Sequence, residues 1–544
     1  MGFPMLYFMT LMKKLTLLLL LFTTFIHAQY YSFNTIEQMP KSIAKDYYTW
    51  RFLQESNTTK KEALTAYQWI KRKSYKLKKA IRKKVGYLPL DKSKKKVKKD
   101  PKNYIIHPAT AAKKSKKSLR RLYKRILKQG KYSDVLKVMA DKKPFEALAT
   151  LSAQAQCYIF NSCQTKYRKK YFNHEFSKEQ LQQLVKEKQF NTTVHKIITT
   201  HALQKTKKSL TLTPIDGEKL SFKTIFLLGV NAVEFNKLNQ AKAYFEWAKT
   251  KTETQGKIDQ SNFWLYLMSK DKKYLEKLLK SSRVNIYTLR ARDILNKPYP
   301  KVITPRLGMH LVADIDPYSP IDWEKIRVKM MTDKPQEVEK LAEHYKSYMT
   351  EGIYSFLKEK ASGYNKPYYA MPYLDAMIGI DKERVALLYA IGRQESRFVP
   401  ASVSTSYALG MMQIMPFLIK HLAKERGEKL DLDEMFNPYV ALDYANQHLN
   451  YLNKYLYHPL FVAYAYNGGI GFTRRSIRSK HLFKTGKYEP YLSMELIDFE
   501  ESKEYGKKVL TNYVVYMNQL GIKTKLSPLL QMLAYPSQTD RFRK

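Results

Sequence analysis

Residues 384–398 read RVALLYAIGRQESRF, and residues 410–416 read GMMQIMP. In the first stretch Leu388, Ile391 and Glu395 recur at i, i+3 and i+7, which predicts a helix with a carboxylate on its apolar face. Pro400 ends that helix, so Glu395 falls in its last turns. Burial and the negative end of the helix dipole both disfavour an ionised carboxyl. A glutamate that stays protonated near neutral pH is what a general acid requires. The same pattern also admits a purely structural residue, turned aside to meet Arg393 or Arg397.

Working outward, Ala401–Leu409 is a Ser/Thr-rich loop, and Pro416 suits the first turn of a helix running to about Arg426, stopped by Gly427. Asn437-Pro438 is an N-cap followed by proline at the first helical position, opening a helix to about Tyr455. Pro459–Tyr466 is a short apolar helix halted by Asn467-Gly468-Gly469. Upstream, residues 29 to about 370 keep a helical period. Phe222–Phe235, Gln240–Lys249, Ser261–Ser269 and Lys273–Leu279 are short amphipathic stretches. Such helices must stack to bury their faces, as in an irregular α-solenoid. Asn285–Pro300 closes a helix at Lys297-Pro298, and residues 305–370, with Pro317, Pro320 and Pro335, bridge to the last domain. The expected fold class is all-α: an N-terminal α-superhelix followed by a mainly helical C-terminal domain. The expected divisions are 1–28, 29–130, 131–370, 371–536 and a polar tail at 537–544.

Length and composition limit the alternatives. At roughly 100–200 residues per domain, 544 residues suggest three or four domains. Hydrophobic content of 44% excludes global disorder, and two cysteines exclude a disulfide-dense scaffold. The formal charge of +49 draws polyanions or anionic surfaces but does not determine the fold. It is concentrated early: residues 71–130 hold 25 Lys/Arg against two acids, a surplus of 23, whereas residues 371–544 hold 23 against 17, a surplus of 6. The lysine-rich block Lys92–Lys117 reads either as a solvated linker or as a contact for an anionic envelope surface. It lacks the interleaved aromatics of a nucleic-acid platform, so no nucleic acid is expected.

Lys13-Lys14, the apolar run Leu15–Ile26 and Ala28 form a signal peptide over residues 1–28, with an uncleaved anchor as the alternative and Met9 or Met12 as possible starts. Export would place a bacterial protein in the periplasm. No cysteine follows the run, which disfavours a lipid anchor. Cys157 and Cys163 are either a disulfide, which would need a break near Asn161-Ser162, or two buried thiols. No Cys/His cluster has metal-ligand spacing, and His421, His448 and His458 read as packing or surface residues, so no metal or cofactor is expected.

Taken in order, four motifs resemble a known family. Glu395-Ser396-Arg397-Phe398, then Gly410–Pro416, then Ala465-Tyr466-Asn467-Gly468-Gly469, then Glu495–Tyr505 are similar to the signature of soluble lytic murein transglycosylases, whose catalytic domain is goose-type-lysozyme-like. The upstream helices are similar in layout to the superhelical part of the large members. Departures from the pattern are Tyr407 for Gly, Met411 for Leu, Gly468 for Ala, Asp498 for Pro and Ser502-Lys503 for Thr-Arg. The resemblance implies cleavage of the β-1,4 bond between N-acetylmuramic acid and N-acetylglucosamine in peptidoglycan, with 1,6-anhydro ends formed by a single glutamate, Glu395. It implies Ser404 and Gln413 as contacts to the sugar or its acetamido group. Met415, Tyr466 and Tyr505 would line the groove, and Asn467 and Glu501 would hold polar contacts near Glu395. The competing expectations are a true muramidase on the same fold and a non-enzymatic basic helical cell-wall-binding protein.

Overall fold

The computed structural model describes residues 32–86 and 103–543. The expected signal peptide, 1–28, and most of the lysine block, up to residue 102, lie outside the described residues. Among the described residues the chain is helical, with extended pairing confined to five isolated bridges. The all-α expectation holds.

The solenoid is a run of short helices, each packed on its neighbours in sequence: Phe222–Glu234 on Leu238–Thr250, then Gln255–Ser269, Lys273–Leu279 and Ile286–Ile294. Asparagines lock successive turns. Asn161 and Asn191 each donate a side-chain hydrogen bond to a carbonyl 28 residues ahead, on Gln189 and Lys219. Asn285 caps the last of these helices by accepting from Tyr287 and Thr288 N–H. Cys157 and Cys163 are free, buried thiols. The helix Ala153–Ser162 ends between them, and burial pushes the two thiols up to about 11 and about 12.

The C-terminal region is built on the helix Glu500–Gln519, whose Val509, Leu510, Val514 and Tyr516 are fully or almost fully buried. It packs against Lys382–Glu395 on one side and Pro459–Gly468 on the other. Gly506 permits the second contact, since a Cβ there would lie 2.3 Å from the ring of Tyr464. The cap signals at Pro416, Gly427 and Asn437 perform as expected, and Asp381 supplies a further N-cap. Asp381 accepts from Arg384 N–H, Pro416 opens the helix Pro416–Arg426, Gly427 ends it at φ 70°, and Asn437 caps Pro438–Asn453. His458 is buried, and its ring caps the helix Pro459–Gly468.

The structure redraws three features. Residues 29–130 divide in two. The first four helices, Phe33–Val85, pack toward the C-terminal region, with Arg51 paired to Asp431 and Asp433 and Trp50 5.4 Å from Tyr407. The described end of the lysine block instead opens a helix, Lys116–Lys128, that packs on Asp134–Ala140 in the solenoid run. The bridge, Pro305–Ala370, has its own core of Trp323, Ile326, Val338, Ile353 and Leu357, closed by Val399. The tail is also docked: Leu456 bridges to Asp540, and Asp540 is buried and paired with Arg543.

The seam between solenoid and C-terminal region is charged and dry. Gln260 and Tyr287 from the solenoid donate to Glu495 at 2.9 Å each, and Lys507 reaches the same carboxylate at 3.2 Å. Burial pushes the Glu495 carboxyl up, but Lys507, Lys503 and the two hydrogen bonds outweigh it, and the net shift is down.

Candidate active site

Glu395 is the last residue of the helix Lys382–Glu395, whose side facing the core carries Leu388 and Ile391 at zero exposure. Beyond it the backbone turns abruptly. Arg397 and Phe398 both adopt left-handed φ values, 59° and 64°, which are costly for residues with side chains. Two anchors hold this turn. Ser396 donates from Oγ to the Met411 carbonyl at 2.8 Å, and Phe398 is buried against Tyr389.

The alternative in which Glu395 turns to an arginine is decided by a residue outside the motifs. Glu359, on the helix Glu351–Ala361 of the bridge, binds both Arg393 and Arg397 with its two carboxylate oxygens. The Arg393 guanidinium also stacks 4.0 Å from the centre of the Tyr369 ring. With both cations engaged, Glu395 makes no ion pair among the described residues; its Oε1 accepts from the Tyr505 hydroxyl at 2.7 Å. Burial pushes its carboxyl up to about 7, the nearby Glu501 charge adds to the rise, and the Tyr505 hydrogen bond opposes it. The carboxyl is thus poised to give and take a proton near neutral pH.

Around it two helices contribute side chains. Tyr505 comes from the core helix Glu500–Gln519. Tyr466, from Pro459–Gly468, donates to the Met412 carbonyl at 2.9 Å. Asn467 donates toward Glu501 at 3.5 Å and accepts from Ser502 Oγ at 2.6 Å, so Ser502 orients it. Gly468 makes room for this arrangement, since a Cβ there would lie 2.5 Å from Ser502 Oγ. Two of the departures from the family pattern, Gly468 and Ser502, are thus neighbours in space.

Ser404, Gln413 and Met415 belong to the loop that faces this cluster. Ser404 Oγ accepts from Ser406 and Ala408 N–H and fixes the loop's turn. The Gln413 amide donates to the carbonyls of Ser402 and Gly410, which ties its nitrogen into the loop. Met415, half-buried, precedes Pro416 at the helix start. Gly410 has φ 72°, and a Cβ there would meet the Met435 carbonyl at 2.0 Å. Tyr407 has φ 61°, which accounts for glycine being usual at that place. Here its ring is buried between Tyr47, Trp50 and Lys76, so the N-terminal helices hold a conformation that costs roughly 1–2 kcal/mol.

The sequence missed Glu359 and Ser502. Glu359 lies in the bridge and has no motif around it. Ser502 stood in a motif but was read only as a departure.

The helical C-terminal region thus presents a half-buried glutamate, free of any ion pair among the described residues, beside a tyrosine hydroxyl. Residues 378–488 match the family described as Transglycosylase SLT domain. A soluble lytic murein transglycosylase from Salmonella typhimurium is 29% identical over 144 residues, which cover 25% of this chain. The match spans 21% of that relative's length. Among solved structures, the 70 kDa soluble lytic transglycosylase of Escherichia coli aligns over 90% of this chain and 83% of its own, at 15% identity and a TM-score of 0.48. An inactive mutant of lytic transglycosylase Slt from Pseudomonas aeruginosa aligns over 76% of this chain and 68% of its own, at 15% identity and a TM-score of 0.44.

Proposed function

We propose that the chain is a peptidoglycan lytic transglycosylase in which Glu395 alone supplies the proton chemistry. The observation that carries this reading is the Glu395 carboxyl itself: raised to about 7, held by Tyr505 and deprived of both neighbouring arginines, inside an SLT domain. Protonated Glu395 donates to the glycosidic oxygen as the bond to C1 of N-acetylmuramic acid breaks. The acetamido oxygen of the same sugar closes on C1 to give an oxazolinium. Glu395, now a carboxylate, takes the proton of the C6 hydroxyl, whose oxygen attacks C1 and releases the acetamido group. Atoms balance without water, and the product carries a 1,6-anhydro end.

Tyr505 orients the carboxyl. Tyr466 and Met415 line the groove, Ser404 and Gln413 meet the acetamido sugar, and Asn467 with Glu501 fixes the polar wall. No cofactor takes part. The segment 1–28 directs the chain to the periplasm, where this substrate lies, and the basic residues of 71–130 favour an anionic envelope surface.

The competing reading is a muramidase, and the observation behind it is Glu501, the carboxylate beside Glu395 that could activate water. Mass spectrometry of fragments released from purified sacculi separates the two. Anhydro-muramic ends, one water lighter, support the transglycosylase; reducing muramic ends assign the hydrolase.

A further inference from the structure

Residues 116–131 hold eight Lys/Arg and no acid. They form the helix Lys116–Lys128 and the turn after it, seated on the solenoid run by the buried Leu119 and Ile126. Lys116 and Arg120 are spent on that seat, where they donate to the Asp141 and Ala140 carbonyls. Lys117, Arg121, Lys124, Arg125, Lys128 and Lys131 are exposed, and none joins an ion pair among the described residues. At about 3.6 residues per turn, the helical members of this set fall opposite Leu119 and Ile126. The corner where the helix ends is apolar. Lys131 N–H donates to the Ile126 carbonyl, and Tyr104 N–H donates to the Tyr132 carbonyl, which joins the segment before the helix to the turn after it. Ile105, Leu127, Tyr104 and Tyr132 keep 61%, 47%, 40% and 37% of their surface exposed there. Single exposed apolar residues need no explanation. Four at one corner beside Lys124, Lys128 and Lys131 form an apolar knuckle with a cationic rim.

We infer that this corner docks on the surface of an anionic phospholipid bilayer, with the lysines on headgroup phosphates and the knuckle in the headgroup boundary. The inference rests on the reading above that the basic residues of 71–130 favour an anionic envelope surface, and it names that surface. Charge complementarity alone would suit any polyanion. The knuckle decides between them. A hydrated wall polymer gives Ile105 and Leu127 nothing to bury against, whereas the outer part of a bilayer does. Tyrosines, with an apolar ring and a polar rim, suit the boundary itself. Cations beside an apolar face are the two signals that together hold a protein on an anionic membrane, each cation near the surface adding to the attraction. The corner belongs to the solenoid run and shares no residue with the Glu395 cluster. Docking therefore fixes where the chain sits and leaves the proton chemistry to the C-terminal region.

The test uses the full chain carrying Glu395→Gln, which leaves sacculi uncut. It is co-sedimented with vesicles of phosphatidylcholine containing phosphatidylglycerol, with vesicles of phosphatidylcholine alone, and with purified sacculi. Binding is read as the excess on the anionic vesicles over the neutral ones, which removes any contribution of the apolar run 15–26. Two variants are compared with this parent: Lys124→Gln with Lys128→Gln and Lys131→Gln, and Ile105→Ser with Leu127→Ser. All five positions are exposed, and circular dichroism checks that each protein is folded. The lysine variant should bind the anionic vesicles roughly a hundredfold more weakly. The apolar pair, with its charge unchanged, should lose roughly tenfold. Both should bind sacculi much as the parent does. An apolar pair that matches the parent on vesicles overturns the inference, as does an unchanged lysine variant. A lysine variant that loses more on sacculi than on vesicles makes a wall polymer the occupant and overturns the lipid surface. If the parent binds sacculi in a salt-dependent way but shows no excess on anionic vesicles, the lipid partner falls and the broader anionic-surface reading stands. If it binds neither, both fall.

Discussion

Two glutamates on either side of the helix Glu500–Gln519 receive opposite treatment. Glu495 and Glu395 are each bonded by a tyrosine hydroxyl, from Tyr287 and Tyr505. Burial pushes both carboxyls up. Glu495 is then given Lys507 and Lys503, and its carboxyl ends below the ordinary value. Glu395 is given no cation, because Glu359 has taken the two arginines on its own helix end, and its carboxyl ends near 7. For these two acids the supply of cations separates a carboxyl that joins the frame from one that keeps its proton. A third acid shows that the shift alone does not assign a role. Glu351 is also raised to about 7, but it is 5% exposed and bonded by Met371 N–H within the bridge core.

The largest expected effect breaks the comparison at its active member. Glu395→Gln should lower sacculus cleavage by at least roughly 10²–10⁴-fold, since one residue serves both proton transfers. A variant retaining a tenth of wild-type turnover contradicts the assignment. Stability should move the other way. The folded carboxyl titrates near 7 against an ordinary 4.5, so its favourable contribution is complete at low pH and is lost as pH rises through 7. The glutamine variant should therefore match wild type near pH 4 and exceed it at pH 8, by roughly 1–3 kcal/mol, as read by chemical denaturation.

Breaking the other member should harm the frame. Lys507→Met strips the principal cation from Glu495 in a dry seam and should cost about 3–5 kcal/mol. Thermal unfolding measures it, and a loss under about 1 kcal/mol shows that the seam is not held as described. A smaller effect sharpens the contrast. Glu501→Gln removes the charge that helps keep Glu395 protonated, so the alkaline limb of the kcat/KM profile should move to lower pH while turnover stays within roughly tenfold. An unmoved limb separates Glu501 from the titration of Glu395. The smallest concerns support of the domain from outside. Residues 371–536 alone lack Glu359, the N-terminal helices beside Tyr407 and the docked tail. That fragment should unfold at a lower temperature than the full chain, and an equal melting temperature makes those contacts dispensable.

Much of the catalytic region was legible because its signals are local. Pro416, Gly427 and Asn437 mark helix ends by their own chemistry, and Glu395 follows from the period of Leu388 and Ile391. What was not legible depends on residues far apart in sequence. Nothing near Glu359 announces that it will clamp Arg393 and Arg397, and nothing near Trp50 announces Tyr407. The tail reads as merely polar because Asp540 and Arg543 satisfy each other only once the chain has folded back onto Leu456.

Of the two glutamates, Glu395 is the one expected to hold a proton near neutral pH. Infrared difference titration of full-length wild type against Glu395→Gln isolates its carboxyl band. The expected result is a protonated carboxyl that disappears with a midpoint near pH 7. A midpoint at the ordinary 4.5 or below would place Glu395 with Glu495 in the frame and contradict the single-carboxyl mechanism.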